Sequence, residues 1–403
     1  MAHLHPAAPL TPLFPSRLPA VGTTIFTVMS TLAAEYQAIN LGQGFPDFQC
    51  DPALINAVNQ AMVSGHNQYP PMPGVLELRK TIANKIDQLY GKSYDPATEI
   101  TITAGATQAI FTVILSCVSP GDEVIVIEPA FDCYLPAITM AGGKAISVSL
   151  DVQRNSDGLV EAYAIPWNSL AKAITPKTRL LLINSPHNPT GMVWQRSDLD
   201  RLADLLSDTN VLVCSDEVYE HMVFDGQQQH SASSHTALAA RSFVVSSFGK
   251  TFHVTGWKIG YVAAPAALSA EFRKVHQFNV FSVNAPMQVG IAHYLSDPAH
   301  YLGLSAFYQR KRDFFRAGLS ETRFKLLPAP GSYFQCVDYS ALGIPQSDLS
   351  EAEFCRWLTS EIGVAAIPVS AFYGAGTDSK VIRFCFAKEE KTLETALSRL
   401  RTV

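Results

Sequence analysis

Paired cysteines, basic runs and long apolar stretches are all missing from this sequence, and each absence narrows what it encodes. Its 7 cysteines (Cys50, Cys117, Cys133, Cys214, Cys336, Cys355 and Cys385) are scattered, with no CxxC pair. That disfavours a disulfide framework or a thiolate zinc site, and makes a reducing cytoplasm the expected compartment. There is no HExxH segment and no GxxxxGKS/T segment, so a zincin or P-loop enzyme has no supporting motif and no metal is expected. The 30 basic residues are outnumbered by 35 acidic ones, for a net charge of −5. Without a clustered basic patch, neither nucleic acid nor an anionic membrane is an expected partner. No uninterrupted apolar stretch reaches spanning length. Residues 1–19 are rich in Pro, Ala and His but lack basic charge followed by an apolar core. They read as a mobile arm or a strip laid on a partner surface rather than as a signal peptide. Internal repeats and low-complexity tracts are absent too.

What is present is an apolar chain long enough for more than one core: 403 residues, 47% of them hydrophobic. Short β-rich runs occur at Ile100–Thr103, Glu123–Glu128, Lys144–Leu150, Arg179–Asn184, Val211–Ser215, Ser242–Ser246 and Gly260–Ala263. Several are continuously apolar, such as Leu180-Leu181-Leu182-Ile183, as strands buried on both faces are. They alternate with helical patterns, which predicts an α/β fold with a mostly parallel seven-stranded sheet between helices. In such sheets ligands gather at the carboxyl ends of the strands. A helical pattern over Ala266–Ser296 reads as a connector. Beyond it, a helix over Tyr301–Thr322, strands at Phe324–Leu327, Tyr333–Val337 and Val381–Phe386, and a helix near Glu351–Glu361 predict a smaller α+β domain. The expected division is 1–45 for the arm and part of the small domain, 46–296 for a large domain, and 297–403 for the rest of the small one.

Polar clusters follow the apolar runs. Ser246-Ser247-Phe248-Gly249-Lys250-Thr251-Phe252-His253-Val254-Thr255-Gly256-Trp257-Lys258 follows one of them. A lysine in a loop after a buried strand can be desolvated, which disfavours its ammonium form and leaves a nucleophilic amine. Lys258 and the hydroxyl of Ser247 suit a phosphate. Each lysine alone reads more readily as a surface residue. Asn184-Ser185-Pro186-His187-Asn188-Pro189-Thr190-Gly191 ends a second run, and Ser215-Asp216-Glu217-Val218-Tyr219 a third.

In this order the segments resemble those of the class I/II aminotransferases, enzymes of the pyridoxal-phosphate (PLP) fold type I. The likeness runs from Leu41-Gly42-Gln43-Gly44-Phe45-Pro46 to Arg383 and is nearest to the methionine aminotransferases, then to the kynurenine/glutamine transaminases. It implies that Lys250 carries PLP as a Schiff base and later moves the substrate proton, and that Asp216 keeps the pyridine nitrogen protonated. It implies that Tyr219 and Asn188 bond the ring's phenolic oxygen and that Phe131 stacks on the ring. Gly105, Ala106 and Thr107, opening a helix after Ile100–Thr103, would receive the phosphate with Ser247 and Lys258. Most relatives carry arginine at the Lys258 position; lysine keeps the charge without the bidentate fork. Arg383 matches the residue that grips the substrate carboxylate, with Gly44 and Asn188 beside it. Tyr69 matches a tyrosine that crosses to the neighbouring subunit's phosphate, which implies a homodimer.

The expected reaction is a ping-pong transfer of an amino group to a 2-oxo acid. Dicarboxylate-specific relatives carry an extra arginine, supplied by the neighbouring subunit, whereas the matching stretch here is His276-Gln277-Phe278-Asn279-Val280-Phe281-Ser282-Val283-Asn284. It is aromatic and neutral. With Phe26, Tyr69 and Phe281 it predicts a pocket for methionine or another large neutral or aromatic side chain. Rivals are a kynurenine/glutamine transaminase, a β-lyase of cysteine S-conjugates on the same scaffold, and a non-catalytic PLP-binding sensor.

Overall fold

The computed structural model describes residues 15–403; residues 1–14, the head of the Pro-rich segment, lie outside the described residues. Seven strands form the central sheet: β1 (Ile100–Thr103), β2 (Glu123–Glu128), β3 (Lys144–Ser149), β4 (Thr178–Asn184), β5 (Leu212–Asp216), β6 (Ser242–Ser247) and β7 (Gly260–Ala263). Their spatial order is β1-β7-β6-β5-β4-β2-β3, and only β7 runs against its neighbours. The apolar runs are continuous because both faces are covered. Leu180 and Leu182 of β4 pack with Ile110 and Val113 of the helix Gly105–Cys117. Leu181 and Ile183 point the other way, onto Trp194 and the helix Arg196–Leu206. The period-two alternation of a strand thus feeds two separate cores.

A second sheet of four antiparallel strands lies near the carboxyl terminus: β8 (Lys325–Leu326), β9 (Phe334–Asp338), β10 (Ile367–Pro368) and β11 (Val381–Cys385), in the order β8-β9-β11-β10. The early chain joins this unit. Ile39 and Asn40 pair in parallel with Val364 and Ala365, and the Cys385 N–H donates to the Leu41 carbonyl at 2.7 Å. Residues 42–44 are thereby laid beside the end of β11.

Two helical expectations need correction. The Ala266–Ser296 pattern is two helices, Ala266–Asn279 and Ala285–Leu295. Phe281 adopts a positive φ of 69° between them. The Asn284 side chain then accepts the Met287 N–H at 3.1 Å, and Pro286 sits in the first turn. A cap and an early proline restart a helix even though the amphipathic pattern continues through the break. The Tyr301–Thr322 pattern likewise divides at Gly303, into Ala299–Leu302 and Leu304–Leu319. Among the described residues, no helix is long and apolar enough to cross a membrane.

Candidate active site

The carboxyl ends of β4, β5 and β6 meet at one edge of the central sheet. Asn184 and Asp216 are paired in register there. Asn184 donates through Nδ2 to the Asp216 carbonyl at 2.8 Å and accepts the Asn188 N–H at 2.8 Å, so one amide fixes both segments. The Asp216 carboxylate accepts the Tyr134 hydroxyl at 2.6 Å and the Val218 N–H at 3.3 Å. Burial pushes its pKa up; the two hydrogen bonds and the charge of Lys250 oppose this. Among the described residues Asp216 has no ion-pair partner within 4.0 Å, so it is a buried acid without an adjacent cation.

Two glycines bring a helix start up to the end of β6. Gly260 opens β7 between Thr103 and Ser247. A Cβ there would meet the Ser246 carbonyl at 2.7 Å and the Gly105 Cα at 3.2 Å, so only glycine lets the chains approach. Gly105 opens the helix Gly105–Cys117 at φ +79°, and no side chain caps that terminus. Lys258 takes a left-handed φ of 56°, which directs its side chain back to the same place: a Cβ on Gly105 would lie 3.2 Å from its Nζ. Ser247 caps the short helix Phe248–Thr251, accepting the Gly249 N–H at 3.2 Å. Uncapped helix N–H groups, an ammonium and two hydroxyls (Ser247 and Thr107) make an anion site.

Lys250 lies on that short helix. Its Nζ donates to the Gly44 carbonyl at 2.9 Å and to the Tyr333 hydroxyl at 2.8 Å. Burial lowers its pKa to about 8, the charge of Arg383 adding to the effect and Asp216 opposing it. Tyr219 stands below the amine, its ring centre 5.6 Å from Nζ, and burial raises its phenol pKa.

The amine stands between two cavities. One, of about 210 Å³, is lined by Ala106, Thr107, Phe131, Asn188, Asp216, Tyr219, Ser247, Lys250 and Lys258. The other, of about 270 Å³, is lined by Phe26, Gly44, Phe131, Asn188, Tyr219, Lys250 and Arg383, together with Gln43, Phe45, Asp132 and Phe334. Arg383 is central in the second sheet, flanked by Cys336 and Ile367. Its guanidinium carbon lies 3.9 Å from the centre of the Phe334 ring. It donates to the Asn188 Oδ1 at 2.6 Å and to the Gly42 carbonyl at 2.9 Å, and its buried Nε has no partner. Burial lowers its pKa. A fully buried guanidinium with a free donor and no carboxylate is an incomplete arrangement that an anion would complete.

Tyr69 and Phe281 line neither cavity of this chain. They are 80% and 54% exposed and pack edge-on against each other, with ring centres 5.2 Å apart. His276, from the stretch compared with the dicarboxylate enzymes, is buried and stacked on Phe272, with Nδ1 3.3 Å from Gln108. Sequence reasoning missed Asn184, Tyr134, Asp132, Tyr333 and Phe334. Asn184 was the first residue of a quoted segment. Tyr134 opens an apolar helix and reads as core.

Known proteins are similar to this chain over nearly its whole length. The family model for aminotransferase class I and II matches residues 36–400. A methionine aminotransferase of Escherichia coli is 47% identical, over 97% of this chain and 98% of its own length. The solved structure of YbdL from Escherichia coli, described as identifying a methionine aminotransferase function, superposes with a TM-score of 0.92 and covers 97% of this chain and 100% of that one. A kynurenine–oxoglutarate transaminase 1 of Rattus norvegicus is 35% identical, over 96% of both chains.

Proposed function

The chain belongs to the class I and II aminotransferases, enzymes that use PLP, and from this we propose that it moves the amino group of methionine or another large neutral amino acid to a 2-oxo acid. The observation that carries the choice of substrate is the second cavity. Phe26, Phe131 and Phe334 give it apolar walls, and Arg383 is the one arginine lining either cavity among the described residues. This chain supplies a grip for one carboxylate and, among the described residues, no second arginine to either cavity.

The residues present fit the cofactor. The uncapped start of the helix Gly105–Cys117, the Thr107 and Ser247 hydroxyls and the Lys258 ammonium would hold the phosphate. Phe131 would offer an apolar face to the ring, and Asp216 lines the same cavity. When bound, PLP supplies an electron sink for the charge left on the substrate Cα. The chain's own residues do the rest. Arg383 and Asn188 hold the α-carboxylate, which fixes the Cα–H bond relative to Lys250. With its ammonium form disfavoured by burial, Lys250 takes the Cα proton and returns it at the other end of the transfer. Asp216, without a competing cation, is free to hold a proton on the cofactor's ring nitrogen. Tyr219, lining the same cavity, would offer its hydroxyl to the phenolic oxygen of the cofactor.

We further propose a homodimer in which Tyr69 reaches the partner's site, supported by the exposure of Tyr69 and Phe281 away from this chain's own cavities. A cytoplasmic location is proposed from the seven free cysteines.

The test is spectroscopic. Adding methionine without any 2-oxo acid bleaches the visible band of the bound cofactor, while aspartate leaves it. Faster bleaching by aspartate overturns the substrate assignment. Release of ammonia and a 2-oxo acid from cysteine S-conjugates with no amino acceptor would instead support the β-lyase reading.

A further inference from the structure

Tyr333 meets the amine of Lys250 but lines neither cavity. It is fully buried, at the turn into β9. Its ring is clamped edge-on by Tyr219 at 5.0 Å and by Phe334 at 4.9 Å, with Tyr308 at 5.8 Å, so the hydroxyl cannot swing aside. The Tyr333 hydroxyl donates its one proton to the Gly44 carbonyl. Toward Lys250 it can therefore only accept, and Lys250 donates to it at 2.8 Å and to the same Gly44 carbonyl at 2.9 Å. Nζ, the phenol oxygen and the carbonyl oxygen form a closed triangle.

A neutral primary amine has two N–H bonds and one lone pair. Both acceptors of the triangle present lone pairs and lie on one side of the nitrogen, so the amine turns its N–H bonds to that side. Tetrahedral geometry then directs the lone pair away from both acceptors. We propose that Tyr333 is a positioning residue: with the Gly44 carbonyl, its hydroxyl seats the amine of Lys250 so that the nitrogen lone pair is free to take the substrate's Cα proton. In that step the N lone pair forms the new N–H bond, and the C–H electron pair stays on the substrate side. The proposal rests on the assignment of Lys250 as the proton-moving amine. The titratable groups that face Lys250 are Tyr219, Tyr333, Asp216, Arg383, Lys258 and Cys385. Of the other five, Tyr219 also interacts with the Tyr333 hydroxyl, so Tyr219→Phe is labelled alongside as the control for its share.

Two readouts separate positioning from mere structural support. In the holoenzyme, Tyr333→Phe lowers kcat about tenfold or more, as expected for a misaligned base, and changes KM less than about twofold, because the cavity walls are untouched. In full-length protein stripped of cofactor, reaction of Lys250 with an amine-specific reagent is followed against pH by peptide mass mapping. An acceptor stabilises the ammonium more than the amine, so its loss moves the labelling midpoint to lower pH, by roughly one unit. A folded Tyr333→Phe protein with unchanged midpoint and unchanged kcat overturns the proposal, as does a rise in KM alone. If Tyr333→Phe does not fold, 4-fluorophenylalanine at position 333 keeps the ring and its para substituent but replaces the hydroxyl by a much poorer acceptor that cannot ionise. A midpoint shift in the same direction supports the proposal, and no shift overturns it. Labelling uses no substrate, so failure of wild-type turnover with methionine would count against the proposed function while leaving this test intact.

Discussion

Burial acts differently on Lys250 and Arg383. An ammonium can shed its proton, and Lys250 is accordingly shifted to about 8. A guanidinium cannot within the accessible range, so Arg383 stays charged and is only partly satisfied by neutral acceptors, Asn188 and Gly42, its Nε being left without a partner. The same desolvation yields a base in one case and a fixed positive charge in the other. Arg383→Gln should raise KM for methionine about tenfold or more, since charge-assisted hydrogen bonds contribute roughly 1.5–3 kcal/mol. Steady-state kinetics against methionine concentration checks this, and an unchanged KM would remove Arg383 from the substrate. Lys258→Ala should weaken cofactor retention, read as a higher PLP concentration for half-saturation in equilibrium dialysis, because the helix start Gly105–Cys117 then faces the phosphate without its cation. For Lys250, Asp216 and Arg383 the sequence itself offered an ionisable residue next to an apolar run; the roles proposed for them came with the family resemblance of the segments around them. Tyr333 offered no such signal. It is an aromatic at a strand edge, and only folding brings it to Lys250, 83 positions away in the chain.

Strand ends and helices are tied together by a buried polar network behind the cavities. Lys85 of the helix Leu76–Tyr90 pairs with Glu220 at 2.6 Å and donates to Tyr261 at 3.0 Å, while Ser246 and Tyr90 donate to Glu220 at 2.7 and 2.9 Å. Burial alone would raise the Glu220 pKa; the Lys85 charge and the hydrogen bonds override it and bring it down to about 2. A carboxyl depressed in the fold contributes stability above its unfolded value near 4.5, and that contribution is lost as pH falls toward 2. Thermal melts between pH 5 and 2.5 should therefore show falling Tm in the wild type and a flatter profile in Lys85→Met/Glu220→Gln. Lys85→Met alone leaves a buried charge unpaired and should cost about 3–5 kcal/mol; a denaturant midpoint equal to wild type would contradict this. At this scale the seven central strands were legible because both their faces are covered, which leaves uninterrupted apolar runs. The break at Val280–Asn284 was not legible, because amphipathic periodicity persists on both sides of it and only the Asn284 cap and Pro286 mark the restart.

For the whole molecule, the exposed Tyr69–Phe281 pair and the neighbouring Phe278, 87% exposed, leave aromatic surface uncovered on one chain. Sedimentation velocity should give twice the chain mass, and Tyr69→Arg/Phe278→Arg should shift it toward the monomer with weakened cofactor binding. A monomeric wild type with full activity would sink the shared-site proposal. The site itself draws on residues from Phe26 to Arg383, and Ile39–Asn40 waits for Val364–Ala365 as its pairing partner. A nascent chain still lacking β11 would thus have its central sheet but neither the guanidinium nor the edge on which residues 42–44 are laid. Assembly of the reactive centre then waits until β11 has cleared the ribosome, so a chain stalled short of Val381 should accumulate as an inactive intermediate rather than as a slow enzyme.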